Sequence, residues 1–141
     1  MSYLPFKSFQ VTVDHDANLD NYRVKSQIGT VTFRHTIQLP WDLKGLISVK
    51  LVGNISAGAA QAARDIDRYV SAHQIGEVVN QKSASDTTTL FDLSTFSNKT
   101  YGFEFSNLIP APTAGDIVGL QQDHNAIGGT IYYFQIQGIY Y

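Results

Sequence analysis

Residues 30–39 alternate strictly: Val31, Phe33, Ile37 and Leu39 fall on one side with His35 among them, and Thr32, Arg34, Thr36 and Gln38 on the other. A period of two over that length predicts a strand with one face in a core and one in water. Pro40 ends it, Trp41-Asp42-Leu43-Lys44-Gly45 makes a corner, and residues 46–52 read as a second strand closed by Gly53-Asn54. Residues 88–93, 100–105, 117–122 and 130–141 read as further strands. The "LIPAPTAGD" stretch at 108–116 is a loop, because its two prolines cannot donate to a ladder. Short strands with turn signals about every ten residues predict an all-β sandwich or barrel rather than βαβ units.

Residues 57–81 carry two competing patterns. Ala59, Ala62 or Ala63, Ile66 and Val70 stand at helical spacing, and propensity alone favours a short helix. The same stretch alternates from Arg64 to Ala72, with Asp65, Asp67 and Tyr69 on one side, as a strand would. Asp123-His124-Asn125 is a triplet suited to metals or proton transfer. It also lies between two alternating runs and beside Gly128-Gly129, which predicts a polar hairpin turn in which the glycines supply positive φ. The turn is the favoured reading.

Composition narrows the function classes. The chain has 141 residues, enough for one domain, with 43% hydrophobic and 16% charged residues. That is too few charges for a disordered binder. The formal net charge is −2 and no Lys/Arg run exists, so neither nucleic acid nor an anionic membrane surface is an expected partner. There is no cysteine, which excludes disulfides, thiolate metal sites and a cysteine nucleophile. No secretory signal and no run of 18 apolar residues is present, so a soluble, non-exported protein is expected. Eight Tyr, eight Phe and one Trp, beside abundant Thr, Val, Ile and Gly, again favour strands.

Catalytic and metal chemistry find little support. His15, His35, His73 and His124 lack zinc-ligand spacing. Asp14-His15-Asp16 offers too few oxygens for calcium. No metal or other cofactor is expected. A nucleophile elbow and a phosphate loop are both missing, and 12 acidic residues, mostly beside turns, make a paired-carboxylate hydrolase a weak alternative. The protein reads as a non-enzyme. Aromatic faces are the other candidate chemistry, because sugar rings stack on them. Trp41, Tyr133 and Tyr141 are the chosen candidates for contact with a partner or glycan, from a wider set that includes Tyr69, Tyr101, Tyr132 and Tyr140. In the last strand Tyr133 shares a side with Ile131, Gln135, Gln137, Ile139 and Tyr141, while Tyr132, Phe134, Ile136 and Tyr140 take the other. One side as core and the other as a subunit interface is the favoured assignment.

Three stretches in order, "VTFRHTIQLPWDLKGLISVKLV", "HQIGEVVNQKSASDTTTLFDLS" and "AGDIVGLQQDHNAIGGTIYYFQIQGIYY", resemble a family of small structural proteins of tailed-bacteriophage virions. The resemblance runs from about residue 30 to the end. It implies a jelly-roll-like β-sandwich of roughly eight strands over residues 30–141, and a strand rather than a helix at 64–72. It also implies a non-enzymatic capsid decoration or cement protein in the virion, assembled in the host cytoplasm. Its partners would be the major capsid protein or other virion proteins, and it would form a homo-oligomer, with a trimer favoured. Residues 1–29 have no counterpart in the family and are assigned to an extended N-terminal arm, with Leu4, Phe6 and Phe9 as candidate capsid-binding anchors. A carbohydrate- or receptor-binding module of a phage fibre, taking a host glycan, is the alternative.

Overall fold

The alternating segments pair into two antiparallel sheets, seen in a computed structural model that describes residues 6–13, 23–26, 30–79, 81–125 and 127–141. The strands are β1 (Lys7–Thr12), β2 (Arg23–Ser26), β3 (Thr30–Gln38), β4 (Leu46–Ile55) and β5 (Arg64–His73). They continue as β6 (Lys82–Asp86), β7 (Leu90–Phe91), β8 (Lys99–Glu104), β9 (Ile117–Asn125) and β10 (Gly129–Tyr140). In the first sheet β10 lies between β4 and a flank shared by β1 and β2, and β8 closes the far side of β4. In the second, the order is β3–β9–β5, with β6 and β7 following each other along the free flank of β5. Treating β1/β2 and β6/β7 as single interrupted strands gives eight positions. Their order, β1/β2–β10–β4–β8 facing β3–β9–β5–β6/β7, is that of a jelly roll.

The inward face of each strand supplies the core. Leu39, Leu51, Ile55, Phe103, Phe105, Leu120, Ile131 and Ile136 are fully enclosed between the sheets. Burying a side chain of this size contributes about 1.5–3 kcal/mol each. The Ala-rich stretch does not form a helix. Residues 57–63 are turns and bends, Ala63 sits at φ 56°, and Ala59 is buried. From Arg64 onward the chain is flanked on both sides, by β9 and by β6/β7. Ladders on both flanks outweigh a modest helix propensity. β6 lacks the apolar alternation that marks other strands. It is an edge strand carrying Lys82 and Asp86, a composition that discourages pairing with other chains.

The N-terminal boundary moves. β1 pairs residue by residue with β10 from Lys7↔Tyr140 to Thr12↔Gln135, and Val13 is in the core. Residues 7–13 and the backbone of β2 are therefore part of the sandwich, not an arm outside it. Phe9 is not a free anchor either. Its ring lies on the backbone of Gly138, where a Cβ would have no room, and 6.1 Å from the Tyr140 ring. Phe6 is exposed, and Leu4 and the Asp14-His15-Asp16 triplet lie outside the described residues.

The last strand does not keep one parity. The register with β4 shifts between Tyr133 and Gln135, so Phe134 is the extra residue of a β-bulge. Before it Ile131 and Tyr133 point inward; after it Ile136 and Tyr140 do, and Tyr132, Phe134 and Ile139 are exposed. Simple alternation had put Ile136 and Tyr140 opposite Tyr133.

Candidate functional site

Two surfaces and one interior cluster carry the residues with chemistry. The cluster lies between β9 and β10. Asp123-His124-Asn125 is not the turn; it ends strand β9, paired with β3 and β5, and the reversal follows it, with Gly128 at φ 71°. Gly129 is extended and packs against the backbone of Gly58 and Ala59. Because β9 alternates, His124 and Gln122 point inward and are wholly buried. There they meet Tyr133, which is 0% exposed. The Gln122 amide donates to the Tyr133 hydroxyl, which lies 2.6 Å from His124 Nε2. Burial drives the Tyr133 hydroxyl well above its usual pKa. Tyr133 is thus a core residue and cannot stack on a glycan or partner; the bulge after it is what turns it inward. Tyr133→Phe is expected to cost about 1–3 kcal/mol, read as a lower denaturant midpoint at unchanged slope, because two buried polar groups lose their shared partner.

The first surface is one end of the sandwich. The loops 39–45 and 105–116 and residues 74–79 meet there with the start of β1 and the C-terminus. Tyr141 exchanges backbone hydrogen bonds with Gly45, and Gly115 and Asp116 exchange them with Leu39. Asp116 organises this end. Its carboxylate, fully buried, accepts from Lys82 Nζ at 2.6 Å, from Gln74 Nε2 at 3.1 Å and from the Thr113 N–H at 2.9 Å. Burial alone would raise its pKa, but these donors outweigh it and hold the carboxyl below the ordinary value. On that base sit exposed apolar side chains. Trp41 is 72% exposed, with the edge of its ring against Gly115. Ile75, Val78 and Val79 crown the β5–β6 hairpin, and Phe6 and Ile47 are exposed at the same end. At the opposite end, Leu90 is exposed. Tyr141 is half-buried, its ring covering Gly45. Of the aromatic contact candidates, Trp41 and Tyr141 are both at this end, and Tyr133 is separated from them in the core.

The second surface is the outer face of β3–β9–β5–β6, hollowed into an open groove of about 610 Å³. Register aligns its side chains in rows. Arg34, Gln121, Tyr69 and Ser85 form one row across four strands, and Thr36, Gly119, Ser71 and Ser83 form the next. A third row holds Thr32, Asp123 and Asp67. Hydrogen bonds fix many of these groups: Arg34 Nε to Gln121 Oε1 at 2.9 Å, Gln121 Nε2 and Thr32 Oγ1 to Asp123, and Asn125 Nδ2 to Asp67. Partial burial, with the nearby Asp65 and Asp123, raises the Asp67 carboxyl despite the Asn125 bond. Desolvation, and then the charges of Asp67, Asp123 and Asp65, raise the Tyr69 hydroxyl. The sequence showed Asp65, Asp67 and Tyr69 on one side of a strand, but not that Arg34 and Gln121 stand beside them; only pairing across β9 does that. Among the described residues, no three His, Asp or Glu side chains converge on a point that could hold a metal.

No family model and no curated protein matches the chain. Among solved structures it is similar to a carbohydrate-binding module, TmCBM61, in complex with β-1,4-galactotriose. That likeness has 12% identity and a TM-score of 0.38, over 96% of this chain and 88% of that one. It is also similar to the VP2 subviral particle of infectious bursal disease virus, at 12% identity and a TM-score of 0.30, over 96% of this chain and 41% of that one. At these values neither likeness bears on function.

Proposed function

We propose that this protein is a non-enzymatic structural protein of a tailed-bacteriophage virion, of the kind that decorates and cements the capsid. It docks by the apolar loop end onto the outer surface of the shell. The resemblance of the sequence motifs to such proteins suggests the class. The observation that supports the mode of docking is the gathering of Phe6, Trp41, Ile75, Val78 and Val79 at one end of the sandwich, above a buried ion pair. Exposed aliphatic and aromatic groups of this size, gathered on one surface, mark contact sites. The major capsid protein is the proposed partner, and copies assemble as trimers at symmetry axes of the shell. The protein reaches the particle in the host cytoplasm.

Cryo-electron images of particles made with and without the protein test this. Density on the shell, and a lower melting temperature for particles that lack it, are expected. Trp41→Ala with Ile75→Asp should weaken decoration on the order of tenfold or more while leaving the isolated fold intact, since both side chains are largely exposed. Absence from particles, or full occupancy by the double variant, overturns the proposal. A second reading, a glycan-binding module of a phage fibre, loses Tyr133 as a stacking platform. It gains the groove over Tyr69 instead.

A further inference from the structure

We infer that the groove on the outer face of β3–β9–β5–β6 is a binding site for an uncharged oligosaccharide, with Tyr69 as the stacking ring and Arg34, Gln121 and Ser71 as hydroxyl partners. This goes beyond the docking reading and uses a different surface, so either can fail alone.

The floor of the groove has the features a sugar needs. Tyr69 is the aromatic side chain among the described residues of this face, and its flanks are polar: Gln121 on one neighbouring strand and Ser85 on the other. A pyranose has an apolar C–H face and a rim of hydroxyls. One ring to stack on, with planar amide and guanidinium groups beside it, matches both. Gly119 leaves the next row open. A Cβ there would meet only Ser71, with its Oγ at 3.1 Å, so the absent side chain is what hollows the groove. The Arg34–Gln121–Asp123–Thr32 chain of hydrogen bonds holds the polar groups in place before a ligand arrives, which lowers the ordering cost of binding.

Charge selects among hydroxyl-rich ligands. Asp65, Asp67 and Asp123, which stand beside the groove, outnumber Arg34, the charged side chain that lines it. A phosphate or sulfate ester, a uronic acid or a nucleic acid would meet net repulsion. An uncharged glycan would not. Among the described residues the groove is open along the sheet and no loop lines it, which suits an extended chain of sugar units better than a single enclosed one.

Titration of the 15N-labelled protein with maltotriose, cellotriose, chitotriose and mannotriose, followed by amide shifts, tests the inference. At least one trisaccharide is expected to shift amides around Tyr69, Gly119 and Gln121 while those around Trp41 stay fixed. Tyr69→Ala and Arg34→Ala should each weaken that binding on the order of tenfold. Gly119→Tyr fills the groove from an outward strand position and should abolish it, while the folded protein's amide spectrum away from the groove stays that of the wild type. No shifts at millimolar sugar, shifts confined to the Trp41 end, or binding that survives Gly119→Tyr each overturn the inference. Tighter binding of a polyanion such as heparin than of any trisaccharide overturns it too. Loss of particle decoration with sugar binding intact would sink only the docking proposal.

Discussion

Arg68→Ala is expected to destabilise the fold by about 3–5 kcal/mol and to lower the thermal midpoint by on the order of 10–20 °C. Arg68 sits on β5 with its side chain pointing into the core, 5% exposed. Its guanidinium donates to Asp86 Oδ2 at 2.7 Å and to the Glu104 carbonyl, and lies 5.3 Å from the Phe91 ring centroid and 5.9 Å from that of Phe105. One side chain therefore ties β5 to β6 within its sheet and to β8 in the other. Alanine removes the charge, leaves the Glu104 carbonyl without this donor and opens a cavity between two aromatic rings. Asp86 is less affected, because the N–H groups of Thr88 and Thr89 and the Thr89 hydroxyl also bond its carboxylate. Those bonds, chiefly that of the Thr89 hydroxyl, hold its pKa far below the usual range. Arg68→Met puts an apolar chain in the space beside the rings and should recover more than half of the loss in urea unfolding. A methionine variant as unstable as the alanine one would show that the carbonyl and carboxylate bonds, not ring packing, carry the effect.

Asp116→Asn is the second large effect, about 3 kcal/mol, and it should remove part of the acid sensitivity of the fold. The carboxyls of Asp116, Asp86 and Glu104 are all held below their ordinary values in the native state. For Asp116 and Glu104 burial opposes this, and hydrogen bonds to the carboxylate prevail. A depressed native pKa means the unfolded chain binds more protons. Stability is then fully present above the unfolded carboxylate values and declines as pH falls through the native ones. Urea midpoints measured from pH 6 down to pH 3 should therefore fall in the wild type and fall less steeply in Asp116→Asn. Equal slopes would remove Asp116 from the account. Because this carboxylate also binds Gln74 and Lys82, which flank the β5–β6 hairpin, the variant should loosen the apolar end as well. Faster amide exchange at residues 74–79 would show it.

Neither node is visible in the sequence as a node. The alternation puts Arg68 on the side of Ile66 and Val70 without naming its partners, and Asp116 stands in a loop sequence with nothing to mark it as buried. Arg68 points inward because β5 alternates Ile66, Arg68, Val70 and Ala72 into the core. Asp116 is buried because two loops and β6 converge on it. The apolar end was half legible: Trp41 stood out at a corner, but nothing in the sequence singled out Ile75, Val78 and Val79. Tyr133 was misplaced as a contact residue because a one-residue bulge cannot be read from a run of alternating aromatics.

What the amino-acid order determined by itself was local. Period-two alternation marked β3, β8, β9 and the first part of β10, because burial on one face and water on the other imposes it on a strand with an apolar inner face. Composition ruled out disulfides and thiolate chemistry for the same elementary reason, that the atoms are not there. What only the tertiary structure decided was which strands became neighbours. Pairing settled that the Ala-rich segment's continuation is a strand and that β1 and β2 belong to the sandwich. It also made Asp123-His124-Asn125 the end of a ladder and set Arg34, Gln121 and Tyr69 in one row. Those residues are 35 or more positions apart along the chain, and hydrogen bonds between strands, each satisfying backbone groups of both, are the interactions that bring them together.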